Sequence, residues 1–217
     1  MNKKIWITNI ITNSLIVALM IVAVLMMFFG DGGVLASSRW SAFKYFTIQS
    51  NVFAGLASLF SFIYILVKRK EEYPGWLAVI KLVSVTSVGV TFVVVMTYLG
   101  AVYGYPLLFN GANLFLHGII PVLAIVFYIL FEPKMKLKFI MNLYSMIPVT
   151  IYGIIYLANV AAKNDYGNYK GADWYAFGTY GLGIGVLCLF IIIILEFGLS
   201  VGIYFLHQKT TIKMLYE

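Results

Sequence analysis

Charged residues are scarce in this 217-residue chain, at 11% of positions against 62% hydrophobic, where a water-soluble domain carries about 25% and about 45–50%. That shortage excludes a soluble globule, because too little polar surface remains to coat a water-facing body. With a mean hydropathy of +0.95, the solvent for most of the chain must be lipid. Cysteine is nearly absent as well. The lone Cys188 lies in an apolar run, so an internal disulfide is excluded, and without a CxxC spacing no metal or redox cofactor is expected. Basic runs are short, none longer than Lys68-Arg69-Lys70. The net charge of +7 therefore does not imply a nucleic-acid partner. No soluble domain, low-complexity linker or internal repeat is visible, which leaves one domain over residues 1–217.

What is present is a series of long apolar windows. No Asp, Glu, Lys or Arg occurs at 5–30, 45–67, 82–131, 139–162 or 174–195, and a spanning helix needs about 20 mostly apolar residues. The longest window is broken by Tyr103-Gly104-Tyr105-Pro106 and Asn110-Gly111, which punctuate helices, so it holds two. The expected fold is an all-α polytopic bundle of six transmembrane helices, at about 5–29, 43–67, 76–101, 112–131, 139–162 and 177–206. Val34-Leu35-Ala36 mimics a signal-cleavage site, but an apolar region of about 25 residues is too long for a signal peptide, and the first helix is read as uncleaved.

Basic residues set the expected orientation. Lys3, Lys4, Lys68, Arg69, Lys70, Lys134, Lys136, Lys138, Lys209 and Lys213 fall on one side; Arg39, Lys44, Lys163 and Lys170 fall on the other. That asymmetry places both termini in the cytoplasm. The opposite connections carry Trp40, Tyr103, Tyr105, Tyr166, Tyr169, Trp174 and Tyr175, the amphipathic rings that settle at headgroup depth. A multi-pass protein of a bacterial plasma membrane, surrounded by membrane lipids and of undetermined oligomeric state, is the expectation.

Polar groups inside lipid are expensive, so those that persist face the bundle interior or do chemistry. In the second helix Thr47, Ser50, Asn51, Ala54, Ser58 and Ser61 fall on one stripe, with Gln49 pointing elsewhere. Helix packing explains such a stripe, although three hydrogen-bonding side chains in one turn exceed what packing needs. The fourth helix supplies Asn110, Asn113 and His117, followed by Pro121. Asn113 and His117 stand at i and i+4, where an amide can fix the imidazole's tautomer; a structural histidine is the competing reading. Ser84, Ser87, Thr91 and Tyr98 in the third helix, and Tyr152, Tyr156 and Asn159 below a kink expected at Pro148, form two further stripes that read either as packing or as the walls of a polar chamber.

Depth ties two of these residues together. Both the second and fourth helices enter from the same face, and Thr47 and His117 lie at similar depth, roughly 6–8 Å below the interface. A hydroxyl whose proton an imidazole takes is the minimum for nucleophilic acyl transfer. Gln49, Ser50 and Asn51 are candidate donors to the developing oxyanion, with Asn113, Tyr98, Tyr152 and Tyr156 as candidate pocket residues. No acid is placed beside His117. Glu196, the only acid in a span, is expected about 28 Å from Thr47, near the cytoplasmic face.

The segment Phe43-Lys44-Tyr45-Phe46-Thr47-Ile48-Gln49-Ser50-Asn51, with Leu116-His117-Gly118-Ile119-Ile120-Pro121 further on, resembles the six-helix androgen-induced and ADTRP-like membrane family and its bacterial relatives. The resemblance implies a threonine-type hydrolase of fatty acid esters of hydroxy fatty acids, with Thr47 as nucleophile and His117 as general base, no cofactor, and a lipid or fatty-acyl ester as substrate. A proline-containing aromatic stretch before the last helix is common among the bacterial relatives; here Ala172-Asp173-Trp174-Tyr175-Ala176-Phe177 has no proline. The polar stripes alone also accommodate a non-catalytic lipid-binding scaffold or a small transporter.

Overall fold

The computed structural model describes residues 3–30, 39–68, 72–133, 137–168 and 170–216. Val34-Leu35-Ala36, Arg69, Lys70, Lys134, Lys136 and Tyr169 lie outside them. Six helices are long and apolar enough to cross a membrane, and no strand occurs among the described residues. They are α1 (Lys3–Phe29), α2 (Phe46–Val67), α3 (Gly75–Tyr103), α4 (Ala112–Phe131), α5 (Met146–Lys163) and α6 (Leu182–Tyr216). The protein is a multi-pass membrane protein. An even number of spans brings both termini to one end of the bundle, the near end; the connections before α2, between α3 and α4, and between α5 and α6 form the far end.

The central helix is α3, about two-thirds buried, which packs on α2, α4 and α6. Its Ser84, Thr86, Ser87 and Thr91 are buried, so the small polar stripe faces protein, where lipid cannot leave it unsatisfied. The α2 stripe behaves the same way: Thr47, Ser50, Asn51, Ala54, Ser58 and Ser61 are all buried, while Gln49 is exposed. Gly55 lets α1 approach α2, since a Cβ there would stand 2.7 Å from the Met20 side chain. In contrast, α5 packs on α6 and lightly on α3, and meets α2 at the far end, where the Phe46 and Tyr152 rings stand 5.1 Å apart.

Four local features differ from the sequence expectation. Residues Arg39–Lys44 form a separate 3-10 turn, so α2 starts at Phe46 and Thr47 lies in its first turn. The third and fourth helices contain π-turns, at Val95–Leu99 and Phe115–Ile119, which change the side-chain register at the far end. Tyr105 donates to the Met96 carbonyl within the first of them at 2.7 Å. Pro148 does not kink a helix: a 3-10 turn over Phe139–Ser145 precedes α5, and Pro148 falls in the first α turn, where its missing N–H is tolerated. Finally, α6 begins at Leu182, after turns that require positive φ at Ala176 (58°) and Gly181 (94°). Glu196 therefore lies near the middle of the span, about 21 Å from the helix start, rather than at the near end. It is fully buried and accepts from the Ser87 hydroxyl at 3.0 Å.

A second polar system cross-links the near half. Lys81, on α3, donates to Asn13 Oδ1 and to Ser58 Oγ, each at 2.9 Å, and stands 3.8 Å from Glu132 Oε2. Glu132 in turn accepts from the Tyr73 hydroxyl at 2.8 Å, and Tyr73 meets Ser61 Oγ at 2.5 Å. One buried ammonium and one buried carboxylate thus join α1, α2, α3 and the end of α4.

Candidate functional site

Thr47 is buried in the first turn of α2, and its carbonyl anchors the turn below it. Asn51 Nδ2 donates to that carbonyl at 2.7 Å and to the Leu116 carbonyl of α4 at 2.9 Å. One amide therefore holds the far ends of α2 and α4 together. Ser50 Oγ donates to the same Thr47 carbonyl and meets Thr91 Oγ1, both at 3.1 Å, tying α2 to α3. Thr47 and Thr91 line a narrow apolar cavity of about 50 Å³ between α2, α3, α5 and α6, walled by Tyr152, Tyr156, Leu189 and Tyr175. The Tyr175 phenol interacts with the Thr47 hydroxyl, and burial pushes its pKa up to about 12. It is thus a neutral hydroxyl at physiological pH.

His117 is wholly buried on α4. Its Nδ1 lies 2.6 Å from the Leu108 carbonyl; a carbonyl only accepts, so Nδ1 carries the proton and a neutral ring leaves its lone pair on Nε2. Nε2 has no partner. Asn51 Oδ1 and Asn113 Oδ1 are also buried without a donor, so three acceptors on the α2 and α4 ends are unpaired, an arrangement suited to a water or a hydroxyl that donates. Leu108, which orients the ring, belongs to the apolar cluster that contains Tyr156 and Tyr175.

The i and i+4 pairing expected between Asn113 and His117 does not form. The π-turn over Phe115–Ile119 rotates His117 off the Asn113 face, and Asn113 Nδ2 turns to the Leu107 carbonyl at 3.5 Å. Nor does a hydrogen bond join His117 to Thr47: Nδ1 is held by Leu108 and Nε2 is bare. The expected oxyanion donors are committed elsewhere. Gln49 donates to the Phe43 carbonyl on the exposed side of α2, and Asn51 uses its amide hydrogens on two carbonyls. Tyr98 reaches the Tyr175 carbonyl at 3.4 Å, and Tyr152 donates to the Lys44 carbonyl at 2.7 Å.

Two contributors escape the sequence reading. Leu108 acts through its carbonyl, which no residue type advertises. Tyr175 reads as one more interfacial aromatic, yet its hydroxyl is folded inward and accepts from the Phe46 N–H at 2.9 Å. Asp173 makes that inward fold possible. It is fully buried, takes the Tyr156 hydroxyl on Oδ1, and takes the N–H groups of Gly167 and Gly178 on Oδ2 at 2.7 and 2.9 Å. Asp173→Ala strands three donors and should cost about 3 kcal/mol or more. The measurement is thermal unfolding in detergent; an unchanged midpoint would remove the cap's structural role.

Comparison of the chain with protein-family models, with curated proteins and with solved structures gives no match.

Proposed function

We propose that the protein is a membrane-embedded lipid ester hydrolase of the kind found in the androgen-induced and ADTRP-like family, with Thr47 as nucleophile and His117 as general base. The observation that carries this reading is the His117 ring: its Nδ1–H is donated to the Leu108 carbonyl while Nε2 stays bare among far-end groups that Asn51 ties to Thr47. That is the tautomer a general base needs. In other nucleophilic sites a third group sets the base; here the Leu108 carbonyl takes that part.

The reaction runs in two halves. Thr47 Oγ1 attacks the ester carbonyl carbon as Nε2 takes the hydroxyl proton, directly or through one water. The negative charge moves to the carbonyl oxygen of the ester, which the Tyr175 hydroxyl meets as donor. Collapse breaks the acyl–oxygen bond, the leaving alcohol takes the proton from His117, and Thr47 holds the acyl group as an ester. A water then gives a proton to Nε2 as its oxygen bonds to the acyl carbon; collapse breaks the bond to Thr47 Oγ1, which takes the proton back from Nε2 as the carboxylic acid leaves. The apolar cavity beside Thr47 receives the start of an acyl chain, and the cap of Trp174, Tyr175 and Phe177 excludes bulk water.

The far end is the extracytoplasmic face of a bacterial plasma membrane in this reading, because the sequence assigns ten basic residues to the termini and the connections of one side and four to those of the other. The catalytic pair then meets ester linkages of the outer leaflet at their natural depth. Incubation of the purified protein with a fluorophosphonate tests the chemistry. A covalent adduct mapped to Thr47, lost in Thr47→Ala and in His117→Ala, is the expected result; labelling elsewhere, or none in protein that hydrolyses esters, overturns the assignment.

A further inference from the structure

We propose that the groove between α2 and α5 is a binding site for an anionic glycerophospholipid of the far-end leaflet, with one acyl chain in the groove and the phosphate at Lys44. The groove lies where α5 packs mainly on α6 and touches α2 through Phe46 and Tyr152, and it holds about 620 Å³, within the range of about 300–1,000 Å³ of small-molecule sites. Its walls include the exposed Ile151 and Ile155 of α5, so it opens sideways into lipid tails. It is separate from the cavity beside Thr47, with Tyr152 and Tyr156 forming part of both linings.

The mouth of the groove is built for a negative group. The Lys44 ammonium lies 5.0 Å from the ring centroids of both Tyr45 and Trp174, and among the described residues no carboxylate pairs with it. Burial holds its pKa below the usual lysine range, and the charge of Lys163 lowers it further. A partly desolvated cation facing a second cation lacks an anion. The half-buried Asp165, which acts on Lys163, is occupied by the Ala172 N–H at 2.5 Å and Asn168 at 2.7 Å. The positive end of α2, which starts two residues beyond Lys44, adds to the same field.

Two features select a two-chain lipid over a free fatty acid. The groove is open along its side, so a second chain can remain in the bilayer while the first enters. Its inner part is also polar on one wall, with Ser50 and Ser87, which suits a chain held by its headgroup rather than by its terminal methyl. This site does not rest on the ester hydrolase reading, and it is tested in the Thr47→Ala background so that cleavage cannot enter the result.

Trp174 borders the groove mouth and is one of four tryptophans. Replacing Trp6, Trp40 and Trp76 by Phe leaves it as the sole emitter. The protein is reconstituted in phosphatidylcholine vesicles containing a small fraction of chain-brominated phosphatidylglycerol, brominated phosphatidylcholine or brominated stearic acid. The expected result is a preference of about fivefold for quenching by the anionic phospholipid over phosphatidylcholine, the scale of one lysine acting on an anionic lipid. Lys44→Gln should abolish that preference, Lys44→Arg should keep it, and Arg39→Gln, which removes the same charge at the same end, should leave it unchanged. Equal quenching by the two phospholipids, equal loss in Lys44→Gln and Arg39→Gln, or stronger quenching by the fatty acid would each overturn the proposal.

Discussion

Thr47→Ala and His117→Ala should each lower hydrolysis of a fluorogenic fatty-acyl ester by about 10³-fold or more, and the double variant should be no slower than either single. The equality matters more than the size of the loss. Two residues that merely shape a pocket lose activity independently and their effects multiply, whereas a nucleophile and its base act as one unit. Tyr175→Phe should cost about 10²–10³-fold in kcat if its hydroxyl meets the oxyanion, while its ring, packed against Phe177 at 5.3 Å, remains in place. Size-exclusion profiles of each variant separate lost chemistry from lost fold. Well-folded single variants that keep a tenth of the activity would end the Thr47 and His117 mechanism. They would leave Asn51, which bridges the Thr47 and Leu116 carbonyls, as a packing device only.

The spans were legible because lipid and protein interior exclude charge alike, so charge-free windows and helices coincide. Register was less legible. A π-turn arises from packing and leaves no mark in composition, and the one over Phe115–Ile119 is why Asn113 and His117 part although their spacing joins them. The start of α6 was misplaced for a related reason: residues 177–181 are apolar enough to continue a helix, yet Ala176 and Gly181 take positive φ and keep them in turns. That shift carried Glu196 from the near end to mid-span. At the site, the inward-facing stripe on α2 and the burial of His117 could be read from residue type, but their partners could not. A backbone carbonyl such as that of Leu108 is identical at every position. Tyr175 has the same two affinities, apolar ring and polar tip, whether it anchors at an interface or turns inward.

Lys81 shows the same blind spot, since it stands one residue outside the charge-free window 82–131 and residue type names no partner for it. In the fold it is 5% exposed and faces Glu132 across 3.8 Å. Removing only one partner of such a pair strands a charge where water cannot reach it, and the cost is about 3–5 kcal/mol. Lys81→Met and Glu132→Gln should therefore each lower the unfolding midpoint sharply. Lys81→Met leaves the Glu132 carboxylate without its cation, and Glu132→Gln leaves the Lys81 ammonium with only Asn13 and Ser58 as acceptors. The double variant should recover a large part of the loss, because two neutral side chains of similar length need no counter-charge and Tyr73 can still donate to the amide oxygen that Glu132→Gln introduces. Thermal unfolding of the four proteins in one detergent gives the coupling energy as a double-mutant cycle. Additive losses would mean that the two groups are held by their other hydrogen bonds and do not act on each other. Ester hydrolysis measured on the same proteins below their midpoints should be unaffected, since Lys81 lies ten residues along α3 from Thr91, roughly 15 Å nearer the termini.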